Sequence, residues 1–217
     1  MNTIKNRFLA AAAPLGWHAF VALVGVRARL LDVGCGNNSP YRVKTQRPDV
    51  HYIGLDVGDY NQTAPILADQ YIVTSPADFR SAIEGLAGSL DAVISSRNVE
   101  HCLDPDRVLR AMAAALKPGG LMYVSFPSQA SAGFPSRAGC LNFFDDPTHR
   151  DMPEFDHVAG CLKAGGCDIV VNQPSYRPAV MRVAGAMFEP LSRWRGQTMF
   201  GTWAYYGFES ILWARKC

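Results

Sequence analysis

From Ala28 onward, short apolar runs alternate with segments of helical pattern, and this alternation restricts the possible folds more than any other feature. Seven runs read as strands: Arg29–Val33, His51–Asp56, Tyr71–Thr74, Leu90–Ser95, Leu121–Phe126, Cys167–Val171 and Phe208–Ala214. Most are rich in Val, Ile and Leu without strict polar alternation, as strands buried on both faces are. Such strands joined by helices form a largely parallel sheet with helices on both sides. The clearest helix follows Asp104, which can cap it, with Pro105 in the first turn. Val108, Leu109, Met112 and Leu116 give it an apolar face, and Lys117-Pro118-Gly119-Gly120 stops it. A second helix is expected over Asp156–Ala164, and a third within Ala179–Trp194, interrupted at Pro190. No repeat, low-complexity tract or linker divides residues 1–217, so one domain is expected.

A chain of 217 residues can bury a core without disulfide or metal staples. Its net charge of +2 excludes a dedicated nucleic-acid binder, which carries a large basic excess. The charge is segregated, however. Residues 1–30 hold four basic side chains and no acid, residues 31–176 hold 11 basic and 17 acidic, and residues 177–217 hold six basic and two acidic. None of the cysteines forms a CxxC pair or has a histidine at zinc-ligand spacing, so no metal is expected. Scattered thiols suit a reducing, cytoplasmic setting. Residues 8–26 carry no formal charge, but Pro14, Gly16, His18 and Gly25 argue against a membrane span or signal peptide. A leading helix over residues 1–27, packed on the domain, is expected, with peripheral membrane contact through residues 8–26 as the alternative.

Leu30 to Asn38 reads as a strand running into a tight glycine turn. Gly34 and Gly36 let the backbone approach a ligand where a Cβ would clash. A second strand ends in Asp56, where a carboxylate can accept bonds from both hydroxyls of a ribose. A dinucleotide fingerprint needs glycine at the sixth position of GxGxxG, and here that position is Ser39. Asp32 would repel a pyrophosphate but can serve an ammonium group. These features favour an adenosine ligand without phosphates, and S-adenosylmethionine fits.

With these residues the sequence resembles the class I S-adenosylmethionine-dependent methyltransferases from about Ala28 to Lys216. LLDVGCGNN is similar to the family's first motif, with Asn38 in place of its last glycine, and YIGLDV is similar to the second. LDAVISSRNVEHCLDP resembles the end of the fourth strand, and LKPGG with LMYVSFP the fifth. FESILWARK resembles the last, antiparallel strand. The resemblance implies a Rossmann-like seven-stranded α/β sheet, mostly parallel, with S-adenosylmethionine as cofactor. It implies cofactor contacts from Asp32, Gly34, Cys35, Gly36, Asp56, Val57, Ser96 and Arg97. It also implies an adenine contact from Asp78, with Asp69 as runner-up. Residues 128–155 and 177–207 would be substrate-side insertions.

Methyl transfer to a hydroxyl needs a base, and two histidines compete for that role. His149, in FDDPTH, could take the proton with Asp145 or Asp146 orienting its ring, or these side chains could bind a divalent cation or simply shape a turn. The FDDPTH segment is similar to a subgroup of bacterial methyltransferases associated with glycan modification. His101 follows Glu100, where some quinone-type O-methyltransferases have an ExLEH-like metal segment; Arg97 and Val99 leave that pattern incomplete. The aromatic stretch Trp194–Phe208 reads as a sugar-stacking lid, a membrane contact or a satellite core. The expected activity is methylation, to oxygen, of a small molecule or glycan. The rival readings are a non-catalytic S-adenosylmethionine-binding partner subunit and a nicotinamide oxidoreductase, which Asp32 and Ser39 disfavour.

Overall fold

Seven strands form one mixed sheet in the order β3-β2-β1-β4-β5-β7-β6 in a computed structural model describing residues 2–59 and 67–217. The side chains of residues 2–5, Lys5 among them, lie outside the described residues. The strands are β1 (Arg29–Val33), β2 (His51–Asp56), β3 (Gln70–Val73), β4 (Leu90–Ser96), β5 (Leu116–Pro127), β6 (Cys167–Gln173) and β7 (Glu209–Lys216). Strands β1 to β5 run parallel, with Leu31 beside Ile53 on one side and Val93 on the other. Strand β7 is antiparallel to both neighbours, pairing Trp213 with Tyr123 and Ala214 with Ile169. This is the Rossmann-like, mostly parallel α/β sheet that the sequence resemblance implied.

The period of two along each strand divides the interior into two cores. Leu31, Val33, Ile53, Leu55, Val93 and Val124 face one side, under α4 (Phe79–Glu84), α5 (Pro105–Ala115) and α6 (Phe155–Ala164). Leu30, Tyr52, Ala92, Ile94, Tyr123 and Trp213 face the other, under α2 (Trp17–Leu23) and α3 (Ser39–Gln46). Helix α5 starts as its sequence requires, with the Asp104 carboxylate accepting from Arg107 N at 3.1 Å and Pro105 at the first position.

Three local expectations are corrected. The leading segment is two helices, α1 (Asn2–Ala12) and α2, broken around Pro14–Gly16. The break is pinned at Leu15, whose N–H donates to Tyr176 OH at 2.9 Å and whose carbonyl accepts from Trp213 Nε1 at 3.0 Å. Trp17, Phe20, Val21 and Val24 are buried in the core, so α2 packs on the sheet. Leu116 belongs to β5, paired with Leu90, while Ala92 pairs with Leu121; Lys117–Gly120 bulge out of the ladder. Helix α7 (Ala179–Arg195) runs through Pro190 uninterrupted, because the carbonyl that loses its partner, at Ala186, lies on the exposed side where water can serve it. Among the described residues, no helix is long and apolar enough to cross a membrane.

Residues 128–155 contain two 3-10 turns, Gln129–Gly133 and Phe143–Asp145, and are tied to the segment after β6 by Arg137. Its buried guanidinium donates to both oxygens of Glu189 at 2.7 Å and also to Ser192 Oγ at 2.8 Å. Helix α8 (Thr202–Tyr206) packs so closely on α7 that a Cβ on Gly185 would stand 2.1 Å from the Gly201 carbonyl oxygen. Gly185→Ala should therefore force the two helices apart and cost ~1–3 kcal/mol, read as a lower midpoint in urea unfolding.

Candidate active site

The carboxyl ends of β1, β2 and β4 emerge side by side, and the loops after them build the site. The chain leaves β1 through Gly34 and Gly36, both left-handed at φ 73° and 56°. A Cβ on Gly34 would lie 2.3 Å from Asn98 Oδ1, so only glycine lets the loop after β4 close against this turn. At Gly36 a Cβ would meet nothing within 4 Å, so there is space beside this turn for a ligand. Asp56 accepts from Gly36 N and Val57 N, both at 2.7 Å, and so holds the glycine turn onto the end of β2.

Two adjoining cavities share Gly34, Gly36, Arg97, His101 and His149 as walls. The larger, about 850 Å³, adds Asp56, Val57, Ala77, Phe79 and Asn98. The smaller, about 310 Å³, adds Asp32, Cys35, Ser39, Arg42, Ser96 and Glu100. Asp32 is buried, and its carboxylate accepts from Ser39 Oγ at 2.5 Å and Tyr52 OH at 2.9 Å. Burial raises its pKa to about 6 against the pull of those bonds and of Arg42. Ser39, standing where a dinucleotide fold has glycine, is thus the partner of Asp32. Burial also pushes the Cys35 thiol far above its ordinary range, so Cys35 is an inert apolar wall.

The structure does not bring Asp78 into either cavity lining. Pro76, Ala77 and Phe79 line the larger one, while the Asp78 carboxylate accepts from Ser75 Oγ at 2.7 Å at the head of α4. The runner-up, Asp69, is paired with Lys44 at 2.6 Å. Ser96 lies 3.1 Å from Ser125 Oγ, and Arg97, left-handed at φ 53°, sets its guanidinium 4.7 Å over the Trp203 ring. A non-glycine residue held there carries backbone strain of ~1–3 kcal/mol, fixed here by the bond from Arg97 N to Ser125 O.

On the opposite wall, His149 Nδ1 lies 2.6 Å from the Phe143 carbonyl. A carbonyl only accepts, so Nδ1 carries the proton, and in the neutral ring Nε2 offers a lone pair. The expected orientation by an aspartate is corrected. Asp146 Oδ2 is 3.9 Å from His149 Nε2, and its other oxygen accepts from Thr148 N and Oγ1. Asp145 instead shapes the turn, accepting from the N–H groups of Arg137, Leu141 and Asn142. His101 Nδ1 contacts Thr148 Oγ1 at 3.0 Å, and its ring stands 4.8 Å from that of His149; burial lowers its pKa.

Sequence reasoning missed two residues. Arg42 of α3 projects over Trp17, 4.2 Å from the ring centre, into the smaller cavity. Glu100, noted in the sequence only beside His101 in an incomplete metal segment, is 1% exposed, with neither oxygen hydrogen-bonded within the protein. Its pKa rises to about 8 through burial. Ligand atoms of Glu100, His101 and His149 lie within 4.8 Å of one another, a donor set able to hold a divalent ion. Only the Glu100-His101 half was legible locally, because His149 arrives from a distant loop. A carboxyl displaced from 4.5 to about 8 opposes folding once it must ionise. Stability should fall by roughly 2–4 kcal/mol as pH rises from 4.5 to above 8, and Glu100→Gln should flatten that slope in chelator-treated urea titrations.

The comparisons with known proteins agree with this geometry. A family model described as "Methyltransferase domain" matches residues 6–172. The chain is 39% identical over 115 residues to a ubiquinone biosynthesis O-methyltransferase of Marinobacter nauticus, covering 48% of this chain and 45% of that one. It is 34% identical over 148 residues to the protein of that name from Xanthomonas campestris, covering 62% and 53%. The chain thus spans about half the length of these curated relatives. Among solved structures, a S-adenosylmethionine-dependent methyltransferase from Mesorhizobium loti superposes with TM-score 0.63 at 16% identity, covering 92% of this chain and 97% of that one. The cyclase SpnF does so with TM-score 0.57 at 22% identity, covering 97% and 81%. Those likenesses show the fold, and the fold alone does not choose a reaction. The space beside Gly36, with Asp32 and Asp56 among the walls, fits the cationic adenosine cofactor expected from the sequence. The chain belongs to the methyltransferase-domain family, whose cofactor is S-adenosylmethionine.

Proposed function

We propose that this protein transfers a methyl group from S-adenosylmethionine to an oxygen of a small-molecule acceptor. The observation that carries this reading is His149. Its ring lines the cavity and its Nδ1 proton is committed to the Phe143 carbonyl, which leaves Nε2 to serve as a base. The cofactor supplies a methyl on a sulfonium, a carbon open to in-line attack with a neutral thioether leaving. The chain supplies alignment, exclusion of water and a place for the proton. Asp56 and Val57 would hold the ribose and adenine end in the larger cavity, and Asp32 with Ser39 the ammonium end in the smaller. His149 Nε2 would take the hydroxyl proton as the oxygen–methyl bond forms.

The curated relatives' names support oxygen as the acceptor atom. The acceptor side favours an apolar small molecule over a glycan. A further cavity of about 280 Å³, lined by Leu9, Ala13, Tyr176, Met181 and Met199, shares Trp17 and Trp203 with the cofactor-side cavity. The unpaired Glu100 favours a second reading, in which Glu100, His101 and His149 hold a divalent cation that acidifies the acceptor hydroxyl.

Two outcomes are expected, and two others would favour the rival readings. Asp56→Ala should weaken S-adenosylhomocysteine binding by ~1–3 kcal/mol in calorimetry, as loss of charge-assisted bonds does; unchanged affinity would remove Asp56 from the ribose. His149→Ala should lower turnover at least ~100-fold with little change in cofactor affinity, in an assay of S-adenosylhomocysteine release over a panel of phenols and alcohols. Release from no acceptor would favour the non-catalytic partner subunit. Activity lost on chelation and restored by one divalent ion would replace the free-base role with the metal reading.

A further inference from the structure

Helix α7 has a committed side and an uncovered one. On the committed side Gly185 meets Gly201, Ser192 is buried against Arg137, and Glu189 is paired with the same guanidinium. On the other side Val180, Val183, Met187, Pro190 and Trp194 succeed one another every three or four residues, a continuous stripe along the helix. Val180 is 54%, Met187 77% and Trp194 79% exposed, well beyond what an ordinary surface helix leaves to water.

The charges around this stripe are of one sign. Arg182, Arg193 and Arg195 lie on the helix and Arg177 just before it, all exposed. Glu189 is the only acid in α7, and Arg137 neutralises it. An apolar stripe flanked by guanidinium groups and ending in tryptophan suits the boundary between acyl chains and headgroups. There the arginines meet lipid phosphates and the Trp ring sits at headgroup depth. A helix of 17 residues lies along such a surface rather than across it.

We propose that α7 docks this protein on an anionic lipid bilayer through the Val180–Trp194 stripe. Charge complementarity selects this occupant. A second copy packed antiparallel on the stripe would bring the Arg182 and Arg193 rows of the two copies together. The docking face is also joined to the acceptor side, because Met181, next to Val180, lines the apolar cavity that shares Trp17 and Trp203 with the cofactor-side one. The inference stands on the surface of α7 and does not depend on which atom is methylated.

Flotation of the full chain with phosphatidylcholine vesicles, with and without phosphatidylglycerol, tests it. The protein should float with the anionic vesicles and not the neutral ones, and should be released by high salt. Met187→Glu with Trp194→Glu, and separately Arg182→Glu with Arg193→Glu, should each cut the bound fraction at least ~10-fold. Leu23→Glu on α2 should leave it unchanged, and thermal melts should show that every variant is folded. No flotation, or equal flotation with both vesicle types, would overturn the proposal. So would a dimer in sedimentation equilibrium that Met187→Glu dissociates, since the stripe would then belong to a second copy.

Discussion

A sheet covered on both faces leaves only the ends of its strands for chemistry. Leu30 and Leu31, adjacent in β1, are both fully buried, each in a different core. Neither face can admit a ligand without losing apolar burial at ~25 cal/mol per Å². The parallel strands β1, β2 and β4 therefore deliver their functional groups to one edge. There Gly34, Asp56 and Arg97 sit within one loop cluster, and the close fit of Gly34 to Asn98 sets its geometry.

The remaining wall of the site comes from chain that the sheet does not constrain. Residues 128–155 bring His149 and Asp146, and α8 brings Trp203. Arg137 holds these parts together through a two-pronged pair with Glu189. Removing one member of such a buried pair leaves an uncompensated charge, typically costing ~3–5 kcal/mol. The pair therefore fixes the placement of the loop that carries His149. Arg150 adds a second strap, its N–H bonded to the Glu100 carbonyl at 2.9 Å. The histidine wall and the loop after β4 are thus one unit.

Charges that lie far apart in sequence meet at this site. Asp32, Glu100 and Glu209 are raised in pKa by burial, and Arg42 and Arg97 lie among them. Arg42 and Arg97, both from the middle, are placed by the aromatic rings of Trp17 and Trp203, which come from the ends.

The strand segments, the glycine turn, the acid ending β2 and the capped helix after Asp104 were all legible in the sequence. Each depends on a short apolar run or on neighbours a few residues away. Other features depended on partners distant in sequence. The break between α1 and α2 is held by Tyr176 and Trp213, and the continuity of α7 through Pro190 by its exposed side. Asp78 was expected in the site because of its position after β3, yet its carboxylate is taken up by Ser75 three residues before it. Asp146 was expected to orient His149, but a backbone carbonyl does so. The sequence by itself determined the sheet, its cofactor edge and the family. Only the tertiary structure decided which groups complete the site, because Glu100, Arg42 and His149 acquire their surroundings and direction from burial and from residues far along the chain.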